Sequence, residues 1–90
     1  MGTALLKIKI MPKSTETNLN EIKSQAKKII ENENGKNPKF EKEPIAFGLT
    51  ALIISFAIDE SISTSVFEEK LAEIQNVSSA EIIDFRRALW

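Results

Sequence analysis

The sequence predicts an α+β fold in which four strands and two helices follow one another as β-α-β-β-α-β. Three observations carry that prediction. Residues 4–11 alternate with the period of two of a half-buried strand. Residues 18–35 hold an apolar stripe at helical spacing between a start signal and a stop signal. Residues 49–59 form the most apolar strand of the chain, as expected of the centre of a sheet.

In the first strand, Leu6, Ile8 and Ile10 share one face and Lys7 and Lys9 the other, and Pro12 ends it. Residues 13–17 are a polar connection. Asn18 followed by Glu21 has the pattern of a capping box, in which the Asn oxygen accepts from an early helical N–H and the Glu reaches back. Leu19, Ile22, Ala26, Ile29 and Ile30 then recur at helical spacing, with Lys23, Lys27 and Lys28 on the wet side. Asn34 and Gly35 stop the helix, because both tolerate the left-handed conformation of a C-cap.

A second strand is expected over residues 39–47. It contains Pro44, which cannot donate to a ladder, so it belongs at a sheet edge or bends there. Beyond Gly48, the third strand turns Leu52, Ile54, Phe56 and Ile58 to the core, with Thr50 on the same side at its start. Leu49, Ala51, Ile53, Ser55 and Ala57 on its other side are also mostly apolar, which makes it central. Ser63, Thr64 and Ser65 open a second helix, with Ser65 and Glu68 as a second capping box and Phe67, Leu71 and Ile74 on its inner face. The last strand, residues 80–86, carries Ile82, Ile83 and Phe85, which do not alternate cleanly and leave its buried face open. This order is the split βαβ, or ferredoxin-like, arrangement. Right-handed crossovers place both helices on one face of a four-stranded antiparallel sheet, with strands one and three central. Residues 1–90 are read as a single domain, since ninety residues suffice for one core and not for two.

Composition narrows the function by exclusion. The net charge of −1 lacks the basic excess of a general nucleic-acid binder. The chain has no cysteine, which excludes a disulfide framework, a thiol nucleophile and a Cys-ligated zinc. It has no histidine, which removes the commonest general base near neutral pH and any Ser-His-Asp hydrolase. The glycines stand alone at 2, 35 and 48, so there is no phosphate-cradling loop. The start lacks the pattern of a signal peptide, and the longest apolar run, residues 51–58, is too short to span a bilayer. A soluble, cytoplasmic protein with no cofactor and no metal is expected, acting by docking onto another protein and not as an enzyme. The central strands offer no stacking rings on the open sheet face, so no direct nucleic-acid partner is expected either.

Two segments ask for more than a structural account. Pro44, Ile45, Ala46, Phe47 and Gly48 bracket apolar residues between a proline and a glycine. This is either a tight hairpin with Phe47 packed inside or an aromatic anchor exposed at a protein interface. Arg86 and Arg87 stand near the end of the chain, either as a solvated basic end or held by the last strand toward an acidic or phosphate-bearing partner.

At these segments, EPIAFGLTALIISFAID and IQNVSSAEIIDFRRAL, and in the opening KIKIMP, the chain resembles the archaeal elongation factor 1-beta family. The resemblance spans essentially the whole chain. It implies a translation factor of ferredoxin-like fold that promotes exchange of GDP for GTP on the GTPase elongation factor 1-alpha. It further implies docking near the nucleotide pocket, with a basic side chain reaching toward the magnesium and phosphate site. Counted from Phe85, that role falls on Arg87, with Arg86 beside it, and the family's aromatic between proline and glycine falls on Phe47. The eukaryotic pattern has lysine where Arg87 stands, and the two cations are not interchangeable at a tight site. A ferredoxin-like small-molecule-sensing domain and a purely structural interaction module are the competing readings.

Overall fold

The computed structural model describes residues 2–87. Its elements are β1 (Thr3–Pro12), α1 (Leu19–Asn32), β2 (Lys36–Pro44), β3 (Thr50–Asp59), α2 (Ser65–Ala72) and β4 (Val77–Arg87). The order along the antiparallel sheet is β2-β3-β1-β4, so strands one and three are central, as the pattern required. The fold is ferredoxin-like α+β. Among the described residues, no helix is long and apolar enough to cross a membrane.

The core lies between the sheet and the helices. Ala4, Leu6, Ile8 and Ile10 of β1 and Leu52, Ile54, Phe56 and Ile58 of β3 face it, meeting Ile22, Ala26 and Ile30 of α1 and Phe67 and Leu71 of α2. The Phe56 and Phe67 rings pack tilted at 4.8 Å, a favoured aromatic geometry that ties α2 to the central strand. Ala51 and Ile53 are buried although they lie on the face without helices.

Several local expectations give way to different solutions. Asn18 Oδ1 accepts from the N–H groups of Asn20 at 2.9 Å and Glu21 at 3.4 Å, so the Asn half of the first capping box forms. At the other end of α1, Asn34 alone takes the left-handed conformation (φ 67°). Gly35 N–H reaches the Ile30 carbonyl at 2.7 Å and Asn34 N–H the Glu31 carbonyl at 3.1 Å, a Schellman closure. Gly35 serves close packing there, because a Cβ would lie 2.4 Å from Ile30 Cγ2.

The second capping box does not form. Thr64, not Ser65, precedes α2, and it makes no side-chain cap. Glu68 instead turns its carboxylate to β4 and accepts from the Ile82 N–H at 3.1 Å. The second strand spans Lys36–Pro44 instead of residues 39–47, with a register shift between Lys36 and Lys39 where Asn37 has positive φ. Pro44 therefore ends an edge strand. β4 begins earlier than expected, and Ile83 is an extra residue between the pairs Ile8–Ile82 and Lys7–Asp84. That bulge is why Ile82, Ile83 and Phe85 do not alternate.

Candidate functional site

The segment from Pro44 to Gly48 forms the turn of the β2–β3 hairpin. Ile45 N–H donates to the Leu49 carbonyl at 2.8 Å and Leu49 N–H donates back to Ala46 at 3.3 Å, which closes the loop. Inside it Phe47 has φ 62°, ψ 27° and Gly48 has φ 75°. Two consecutive left-handed residues turn the chain sharply, and the first of them throws the Phe47 ring outward. Phe47 is 94 % exposed, so it is not packed inside the hairpin. Pro44, Ala46 and Gly48 are exposed with it, and Ile45 is half-buried. Thr15, in the connection after β1, lies beside Gly48.

Arg86 and Arg87 close β4. Arg87 pairs with Ala4 of β1, which pairs in turn with Ile58 near the end of β3. The hairpin turn precedes Thr50, at the beginning of β3. The run from Thr50 to Ile58, at about 3.3 Å per residue, separates the two features by roughly 26 Å. The residues singled out from the sequence thus form two sites at opposite ends of one sheet, and the structure does not bring them together.

Both guanidiniums are tethered through Nε. Arg86 Nε lies 3.0 Å from Asp84 Oδ2, and Arg87 Nε lies 3.6 Å from Glu60 Oε2. Glu60 sits in the turn after β3. There Asp59 Oδ1 accepts from the Ser61 N–H at 2.9 Å and the Ser61 hydroxyl at 2.8 Å, which holds the Asp59 carboxyl below its ordinary pKa. The Glu60 N–H donates to the Gly2 carbonyl at 3.0 Å, pinning the turn to the start of β1. Neither Asp59 nor Glu60 stands out in the sequence as a site residue. The Asp-x-Ser spacing was a signal for an ordered Asx-type turn, but the Arg87 contact arises only when β4 is laid beside β1.

Between the two ends, the helix-free face of the sheet forms an open groove of about 520 Å³ whose lining includes Leu5, Lys7, Lys39, Ser55, Ala57 and Arg86. The two central strands place no aromatic ring on this face. Among the described residues no group of three or more acidic side chains is placed to hold a metal ion. At these positions the chain offers an apolar ring and two cations.

Comparison with known proteins gives the family. The EF-1 guanine nucleotide exchange domain family matches residues 5–88. Elongation factor 1-beta of Methanosarcina barkeri is 39% identical over 88 residues, covering 97% of this chain and 99% of that protein. Elongation factor 1-beta of Methanothermobacter thermautotrophicus is 37% identical over 90 residues, covering 99% and 100% respectively. That of Methanocaldococcus jannaschii is 38% identical over 85 residues, covering 93% and 96%. The chain therefore belongs to the EF-1 guanine nucleotide exchange domain family, and is a nucleotide exchange factor and not an enzyme.

Proposed function

We propose that the whole chain, as one exchange domain working in the cytoplasm, docks on the GTPase elongation factor 1-alpha and releases its GDP so that GTP can enter. The observation that supports this most is the pair of exposed groups at opposite ends of a sheet, Phe47 at one and Arg87 with Arg86 at the other. In this reading the turn of residues 44–48 anchors the domain on one surface of the partner, with the Phe47 ring desolvated in an apolar pocket. The sheet then carries Arg87 to the nucleotide site, roughly 26 Å away along the strands.

GTPases hold GDP through Mg²⁺ and a cradle around the phosphates. A guanidinium delivered there competes with the metal for its acidic ligands and weakens metal and nucleotide together. Linkage requires the factor to bind the nucleotide-free GTPase more tightly than the loaded one, and incoming nucleotide to loosen the factor in return. No general base takes part, so a chain without histidine or cysteine is adequate to the task.

The test is release of fluorescent GDP from elongation factor 1-alpha with and without this protein. Release should accelerate with factor concentration and saturate. An unchanged rate, under conditions where the two proteins bind, would leave only a structural interaction module.

A further inference from the structure

We infer that Glu60 is a positioning residue for Arg87, holding the guanidinium by its inner nitrogen so that its outer edge faces the partner. This rests on the reading of Arg87 as the exchange effector. The contact runs from Glu60 Oε2 to Arg87 Nε at 3.6 Å, and both side chains stay accessible. A carboxylate at Nε restricts the last rotations of a long side chain while leaving the two terminal amino groups available for a bidentate contact elsewhere.

Glu60 is itself held from three directions. Its N–H is bonded to the Gly2 carbonyl at 3.0 Å. Its turn is closed by the Ile62 N–H on the Asp59 carbonyl at 3.0 Å and braced by the Asp59–Ser61 bonds. Its carboxylate occupies the space over Gly2, where a Cβ would lie 2.7 Å from Oε2. Gly2, Glu60 and Arg87 thus join the start of β1, the turn after β3 and the end of β4 in one small constellation. Any side chain at position 2 displaces the carboxylate that faces the arginine.

The experiment measures GDP release from elongation factor 1-alpha across a range of concentrations of the full chain. Glu60→Gln should lower the maximal stimulated rate by about two- to fourfold, the scale of an exposed ion pair. The concentration giving half of that maximum and the melting temperature should not change. Gly2→Ala should lower the rate in the same way, and Glu60→Gln should have no further effect in an Arg87→Ala background. A wild-type or faster rate for Glu60→Gln, with Arg87→Ala slow, would overturn the positioning role and leave the effector reading standing. A wild-type rate for Arg87→Ala would overturn both.

Discussion

The two ends of the sheet present their exposed groups by different means. At the hairpin end the main chain does the holding. Two left-handed residues in succession and two backbone hydrogen bonds fix where the Phe47 ring points. At the opposite end the side chain of Arg87 reaches its place through several rotatable bonds and one exposed ion pair with Glu60. The first arrangement stores strain, since a left-handed conformation in a residue with a Cβ costs roughly 1–2 kcal/mol. The second stores almost none and yields easily to a stronger partner. The comparison teaches that a ring fixed by the main chain and a cation held by a pliant side chain can be separated along one sheet; in the proposed function, affinity rests on the first and exchange on the second.

The sharpest test of that division is Phe47→Ala. Losing a ring that fills a partner pocket should weaken the complex by about 2 kcal/mol, on the order of thirtyfold in Kd, with little change in melting temperature. Titration calorimetry beside thermal melting checks it, and a lowered melting temperature with unchanged Kd would return Phe47 to a structural role. Arg87→Ala should instead leave the Kd nearly unaltered and slow maximal GDP release by about tenfold, the scale of a lost charge-assisted hydrogen bond. Added salt should reduce stimulation by the wild type more than by this variant.

Two substitutions probe how the hairpin is held. Gly48→Ala forces a side chain into φ 75° and should cost about 1 kcal/mol of stability in denaturant unfolding. Phe47→Gly removes the same conflict one residue earlier and should raise stability by up to about 1 kcal/mol, while weakening binding as Phe47→Ala does. A variant that gains stability and loses affinity separates the anchor from the fold more cleanly than any deletion. The smallest effect is expected at the other end, for Asp59→Asn. The hydrogen bonds from Ser61 depress the Asp59 pKa, so its contribution is present above the unfolded pKa and is lost as pH falls through the folded one. The variant should melt slightly below the wild type at neutral pH, with the gap closing below about pH 4.

Much of this molecule was legible because burial and periodicity coincide. The alternation of Leu6, Ile8 and Ile10, the stripe of Ile22, Ala26 and Ile30 and the double-sided apolarity of β3 each follow directly from packing. The edge strands were less legible. Their ends and their alternation are set by the Asn37 irregularity, the Ile83 bulge inside β4 and a turn that uses an aromatic in a conformation its own preference opposes. The same holds for the site. Residues 44–48 and the arginines stood out by composition, yet the exposure of Phe47 depends on two backbone angles. The Arg87–Glu60 contact depends on three distant stretches meeting at one end of the sheet.

The carboxylate of Glu68 on the Ile82 N–H has a consequence for the company this domain keeps. A sheet's outer strands are templates for further pairing, and a long one such as β4 invites a neighbour's backbone to join it. Glu68 places an acceptor where a neighbour's carbonyl would have to arrive, and the Ile83 bulge bends the line a new strand would follow. On the far edge, β2 carries Pro38 and Pro44, which have no N–H to offer, together with Lys36, Lys39 and Lys42. Both flanks therefore discourage growth of the sheet into fibrils or strand-swapped pairs, so that a partner protein meets this domain through side chains and not through an added strand.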